Sequence, residues 1–115
     1  MPRHISFMLT TAQVRARTKD VTRRLGWRTL KPGDRLVGCV QCMGLRKGQK
    51  IKRLADIEVV SVRRERLDVI TPEEVRREGF PTWSPEAFIA MFCRSHRDCT
   101  PATEVTRIEF RYLED

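Results

Sequence analysis

The sequence predicts an α+β domain: a small β-barrel with short flanking helices. Three observations lead there. The chain has 115 residues, close to the commonest size of one domain (1–115) and long enough to bury a core of its own. Apolar residues make up 40% and charged residues 33%, unlike a disordered tail, and no apolar run approaches the roughly 20 residues that span a bilayer. Four or five short strand patterns alternate with small helix patterns, with no repeat and no Gly/Ser linker between them.

The elements follow in order. The apolar run at 5–9 is a strand candidate. Thr10 or Thr11 caps a brief helix to about residue 17, because a hydroxyl accepts from the free amides of a first turn. Lys31-Pro32-Gly33-Asp34 is a turn, and the stretch 35–42 after it reads as a largely buried strand. Gly38 within that strand marks a bulge or a close backbone approach. The β-branched stretch 57–62 is a further strand. Thr71-Pro72-Glu73-Glu74 supplies the hydroxyl, proline and glutamate of a capping box, and Gly79 after Glu78 ends that helix. Ser84-Pro85-Glu86 opens a second helix with Phe88, Met91 and Phe92 on its apolar face. The closing strand, 105–113, alternates: Ile108, Phe110 and Tyr112 on one face, Arg107, Glu109 and Arg111 on the other.

Charge narrows the partners. Lys plus Arg is 23 against 15 Asp plus Glu, a net charge of +8 with a pI near 10.0. Five of these bases are lysine (Lys19, Lys31, Lys47, Lys50 and Lys52) and the other 18 are arginine, whose planar fork matches phosphate and stacks on bases. A basic surface attracts polyanions, so a nucleoside-like ligand or RNA heads the list of partners. A basic protein with no such partner is the plain alternative. No basic amphipathic helix of useful length points to a membrane surface, and the start shows no signal-peptide pattern, so the expected location is cytoplasmic.

The most informative stretch is Arg17-Thr18-Lys19-Asp20-Val21-Thr22-Arg23-Arg24, followed by Leu30-Lys31-Pro32-Gly33-Asp34. It resembles the ASCH domain family, small relatives of the PUA-like RNA-binding barrels. That family's signature is Gly-x-Lys-x-x-Glu-x-Arg, then a short loop and a Pro-Gly-Asp turn into a strand. Lys19 and Arg24 fit; Arg17 stands in place of Gly and Thr22 in place of the usual Glu. The resemblance runs from the strand at Ile5 to Ile108-Glu109-Phe110 and so covers nearly the whole chain.

The departure at Thr22 is similar to a subgroup of small bacterial members that hydrolyse N(4)-acetylcytidine. They carry Lys-x-x-Thr here, and a catalytic Glu shortly after an apolar-Asp-x-apolar-Thr segment. Leu67-Asp68-Val69-Ile70-Thr71 looks like that segment, and Glu78 falls at the matching position. The resemblance therefore implies a PUA-like barrel and a hydrolase of an N-acylated cytidine or similar nucleoside amide. Lys19, Thr22 and Glu78 would be catalytic and Arg24 would bind substrate in one cleft, with no cofactor and no metal. A non-catalytic RNA-binding module or a ribonuclease using the same cleft are the rival readings.

The chemistry of these residues is compatible. Amide hydrolysis needs a nucleophile, a base and an acid for the leaving amine, and Thr22, Lys19 and Glu78 can supply them. Lys19 has to be partly neutral, which burial or the neighbouring Arg17, Arg23 and Arg24 can cause. Residues three apart in a regular strand face opposite sides, so Lys19 and Thr22 converge only if their segment is bulged or turned. Spacing alone fits ordinary surface residues as well.

Four further features stand outside the motif. Trp27, just after it, is placed to stack on a base and so to bind substrate; Phe80 and Trp83 could do the same. The loop at 46–53 offers Arg46, Lys47, Lys50 and Lys52 as nucleic-acid contacts, or forms a merely solvated charged hairpin. Cys39 and Cys42, with Cys93, His96 and Cys99, have the residue types of a zinc site, but alternation sends Cys39 and Cys42 to opposite faces of a strand, and buried free cysteine is the simpler expectation. Structural disulfides are not expected in a chain with no export signal.

Overall fold

The computed structural model describes residues 3–41 and 45–113. One five-stranded sheet, curled into a half-barrel, organises the fold. The strands are β1 (Arg3–Ser6), β2 (Val21–Arg24), β3 (Arg35–Cys39), β4 (Arg53–Arg66) and β5 (Glu104–Tyr112), in the spatial order β1-β3-β4-β5-β2. The β1–β3 pair is parallel and the others antiparallel. Among the described residues, three α-helices, α1 (Thr11–Arg15), α2 (Pro72–Arg77) and α3 (Pro85–Ser95), and two 3-10 turns complete the fold. The end strands β1 and β2 are bridged by a side chain: Arg24 Nη2 donates to the Ser6 carbonyl at 2.5 Å.

Several elements differ from the sequence expectation. The run at 5–9 is strand only to Ser6; a 3-10 turn over Met8–Thr10 follows, held by Thr10 N–H on the Phe7 carbonyl and by the Thr11 hydroxyl on the same oxygen at 2.9 Å. Met8 and Leu9 are thereby 57% and 60% exposed. β3 stops at Cys39, where the register with β4 shifts. Gly38 is both bulge and close approach, because a Cβ there would sit 2.9 Å from the buried Phe7 ring. β4 outgrows the predicted 57–62 in both directions, since cross-strand pairing holds its charged end, with Arg64 reaching Glu104 at 3.0 Å.

The helix starts follow the caps. Thr71 Oγ1 accepts from Glu74 N–H at 3.2 Å, and Ser84 Oγ accepts from Ala87 N–H at 3.1 Å. The reciprocal half of the α2 capping box is replaced, because both Glu74 carboxylate oxygens accept from arginines. Gly79 ends α2 at a φ of +105°, and Gln13 of α1 packs so closely that a Cβ at this glycine would meet its Cγ at 2.7 Å.

β5 separates two cores. Ile108 and Phe110 join Ile5, Phe7, Leu36 and Ile57 inside the barrel. On its other face, Val105 packs with Leu67, Val75, Phe88 and Phe92 under the helices. Arg107, on that second face, is not a solvated residue: it is 4% exposed beneath α2.

Candidate functional site

A cleft of about 230 Å³ opens along end strand β2, between the barrel and α3. For scale, an apolar cavity of about 150 Å³ holds benzene. Lys19, Thr22, Arg24 and Glu78 all line it. Lys19 lies two residues before the first residue of β2, so strand alternation does not oppose it to Thr22. Thr22 and Arg24 project from one face of β2, and Arg23 reaches the same cleft from the other.

At the approach to the motif, where the resembling signature has Gly, the backbone is one that glycine adopts without strain. Arg17 adopts a φ of +59°, the left-handed region, and its guanidinium lies 5.2 Å from the centre of the Tyr112 ring. The segment is then tied to the end of α2. Asp20 N–H donates to the Arg77 carbonyl at 3.0 Å, and Arg77 pairs with the Asp20 carboxylate at 3.0 Å. These contacts set Lys19 against Glu78.

Lys19 is 2% exposed, and its Nζ donates to Glu78 Oε1 at 2.7 Å and to the Glu78 carbonyl at 2.8 Å. Burial pushes the Lys19 amine below its ordinary value; Glu78 pulls it back up, and Arg24 and Arg23 add to the lowering. Thr22 is buried, and its Oγ1 accepts from Arg24 Nε at 3.1 Å, which leaves the hydroxyl hydrogen available to a base. The Arg24 guanidinium, placed by sequence as a substrate contact, is thus engaged with Thr22 and Ser6.

The sequence points to Arg23 only as a charge beside Lys19, yet it clamps the site. It lies opposite Arg107 in the β2–β5 register. Its Nη1 reaches Glu78 Oε2 at 3.1 Å, and its Nη2 reaches Glu65 at 2.9 Å and Glu74 at 3.0 Å. Arg107 in turn holds Glu74 through two nitrogens, at 2.8 and 3.0 Å. Hydrogen bonds from Arg107, then from Arg23, bring the Glu74 carboxyl down to about 2. Alternating charges therefore run from under α2 into the cleft and fix the Glu78 carboxylate.

The opposite wall is apolar. Phe80, Phe88, Met91 and Phe92 line it, with Met8 and Leu9 at the lip. Phe80 stacks on Trp83 with ring centres 4.3 Å apart, so Trp83 backs the wall. The α3 face read from sequence as core is thus also cleft, a dual use that helical spacing does not reveal. Ser95 and His96 complete the lining, His96 stacked on Phe92 at 4.1 Å.

Other predicted positions lie elsewhere. Trp27 is not among the residues lining the cleft; it packs half-buried against the barrel core with Arg3 over its ring at 4.2 Å. Its loop turns away because Gly26 and Trp27 both take positive φ. Arg46, Lys47, Lys50 and Lys52 are exposed on a loop whose turn is closed by Gln49 N–H on the Arg46 carbonyl at 2.9 Å. Cys39 is fully buried in β3, whereas Cys93 and Cys99 pack against the helix-side core; Cys42 lies outside the described residues. Among the described residues, no three His, Cys, Asp or Glu side chains are grouped to hold a metal ion, and no helix is long and apolar enough to cross a membrane.

No family model and no curated protein matches the chain. Solved structures do. An ASCH domain from Lactobacillus crispatus aligns with a TM-score of 0.68 at 14% identity, over 96% of this chain and 78% of that one. A protein of Enterococcus faecalis assigned to the DUF984 family model aligns at 0.68 and 16% identity, over 98% and 80%. A hypothetical protein, PH0355, aligns at 0.66 and 16%, over 97% of each chain. With the curled mixed sheet and its short helices, these likenesses give the chain the ASCH, PUA-like α+β fold.

Proposed function

We propose that this protein is a cytoplasmic hydrolase of an N-acylated cytidine or a similar nucleoside amide. The observation that carries the proposal is the Lys19 amine, buried, lowered in pKa and 2.7 Å from Glu78 in the cleft that Thr22 lines. A neutral Lys19 takes the Thr22 hydroxyl proton as Oγ1 attacks the acyl carbonyl. The proton returns to the leaving exocyclic amine by way of the Lys19–Glu78 contact. Water then cleaves the acyl-threonine ester, so N(4)-acetylcytidine and water give cytidine and acetate. The aromatic wall opposite is suited to the flat base, and the cleft volume to one ring with a short acyl group.

The test is incubation of the purified protein with N(4)-acetylcytidine, followed by chromatography. The wild type should release cytidine, and Thr22→Ala should not. Equal release by both, or none by the wild type, removes the proposal.

The net charge of +8 favours a second reading, because a free nucleoside has no phosphate for it to meet. In this reading the protein binds RNA, with or without cleaving it, through the cleft and the exposed Arg46, Lys47, Lys50 and Lys52. RNA affinity that falls steeply with salt, with no hydrolysis of acetylcytidine, would select it.

A further inference from the structure

The segment Cys93-x-x-His96-x-x-Cys99 takes no part in the proposed hydrolysis, yet its Ser95 and His96 line the cleft. Cys93 stands in the last turn of α3 and Cys99 directly after the turn that follows the helix. Their sulfurs are 3.9 Å apart, in direct contact, with both thiols free. The residues between them are locally fixed. Ser95 Oγ donates to the Met91 carbonyl at 2.8 Å, His96 Nδ1 meets the Phe92 carbonyl at 2.9 Å, and Asp98 takes a φ of +60° that folds the chain back. Both cysteines are partly exposed, whereas Cys39 is sealed in the barrel.

From this contact we infer that Cys93 and Cys99 form a reversible intramolecular disulfide that pins the Ser95–His96 wall of the cleft. Bond formation requires the touching sulfurs to close from 3.9 Å to about 2.0 Å. A peroxide supplies the oxidant. One thiolate attacks the peroxide oxygen, the O–O bond breaks, and a sulfenic acid and hydroxide result. The second thiol attacks the sulfenic sulfur, the S–S bond forms, the S–O bond breaks, and water leaves. In sum two thiols and one hydrogen peroxide give a disulfide and two waters. A dithiol such as dithiothreitol reverses the step by exchange. Burial and the adjoining Cys99 push the Cys93 thiol up, so oxidation quickens as pH rises.

The experiment treats the full chain with hydrogen peroxide, blocks the remaining thiols and digests with trypsin without reduction. Cleavage after Arg94 and Arg97 separates the two cysteines, so the peptides 78–94 and 98–107 stay joined only by the disulfide. The joined pair should appear, two hydrogens lighter than the separate peptides, and dithiothreitol should release it. Cys93→Ser and Cys99→Ser should each abolish the joined pair while the reduced variants keep the wild-type melting transition. In the oxidised wild type, the amides of residues 95–98 should gain protection against hydrogen exchange. Peptides joined through Cys39 or Cys42, dimers between chains, or no joined pair at any pH would overturn the inference. So would unchanged protection at 95–98. None of these readouts depends on hydrolase activity.

Discussion

The Lys19–Glu78 cleft and the basic loop at 46–53 use charge in opposite ways. From the cleft to the space beneath α2, Lys19, Arg23 and Arg107 are buried and interleaved with Glu78 and Glu74. Each position is set by its neighbours, and the ionisation equilibria of Lys19, Arg23 and Glu74 are displaced. On the loop, Lys47, Lys50 and Lys52 are exposed, and none of the ion pairs among the described residues involves them. Buried charges couple strongly to fold and to proton transfer, while exposed ones act at a distance and yield to salt. The first arrangement suits chemistry on a held substrate; the second suits attraction of a polyanion.

The largest expected effect is on the buried side. Glu74→Gln leaves Arg107 and Arg23 without their shared carboxylate and should destabilise the fold by about 3–5 kcal/mol, measured by urea unfolding. The acid limb carries the same signature. A carboxylate whose folded pKa is depressed contributes stability above its unfolded value, and that contribution is lost as pH falls through the folded one. With Glu74 at about 2, wild-type stability should fall between about pH 5 and 2, and Glu74→Gln should flatten that decline. An unchanged acid limb would mean that the cluster is not held as a unit.

Smaller effects follow from the backbone. Gly38→Ala forces a methyl against Phe7, which is 1% exposed, and should cost about 1–3 kcal/mol. Arg17→Val, with a β-branched residue at positive φ, should cost roughly 1–2 kcal/mol, whereas Arg17→Gly should leave stability within about 1 kcal/mol of wild type. The smallest effect on stability belongs to the loop. Replacing Lys47, Lys50 and Lys52 together by Ala should change unfolding by about 0.5 kcal/mol or less per site. Yet if each contacts phosphate, the change should reduce the salt slope of RNA binding by roughly two to three units. A large loss of stability there, or an unaltered slope of measurable RNA binding, would break the contrast between the two regions.

The sequence was most legible where local chemistry decides the structure. Caps at Thr71 and Ser84 mark the starts of α2 and α3, and Gly79 marks the end of α2. Likeness to the family motif, not spacing, picks out Lys19, Thr22 and Glu78, which share the cleft lining although 59 positions separate Lys19 from Glu78. What stayed hidden depends on long-range register. Arg23 becomes a clamp only because β2 pairs with β5 so that it faces Arg107, and because α2 covers that face with Glu74. Nothing local to Arg23 distinguishes it from the other arginines. Met8 and Leu9 read as strand because they are apolar, and two hydrogen bonds to the Phe7 carbonyl turn them outward to the cleft lip. Trp27 lies apart from that cleft: its position after the motif suggested the cleft, and the chain, with positive φ at Gly26 and Trp27, packs it against the barrel core.

The central claim is that a Lys19 amine made partly neutral by burial drives Thr22 in amide hydrolysis. The pH dependence of kcat/KM for N(4)-acetylcytidine tests it most directly. The rate should rise with pH through an apparent pKa below the ordinary lysine value of about 10.4, because the base works only when deprotonated. Lys19→Ala should remove the activity and its pH dependence together while the variant still folds. A wild-type rate from Lys19→Ala, or a profile whose only rise lies at or above the ordinary lysine value, would contradict the account.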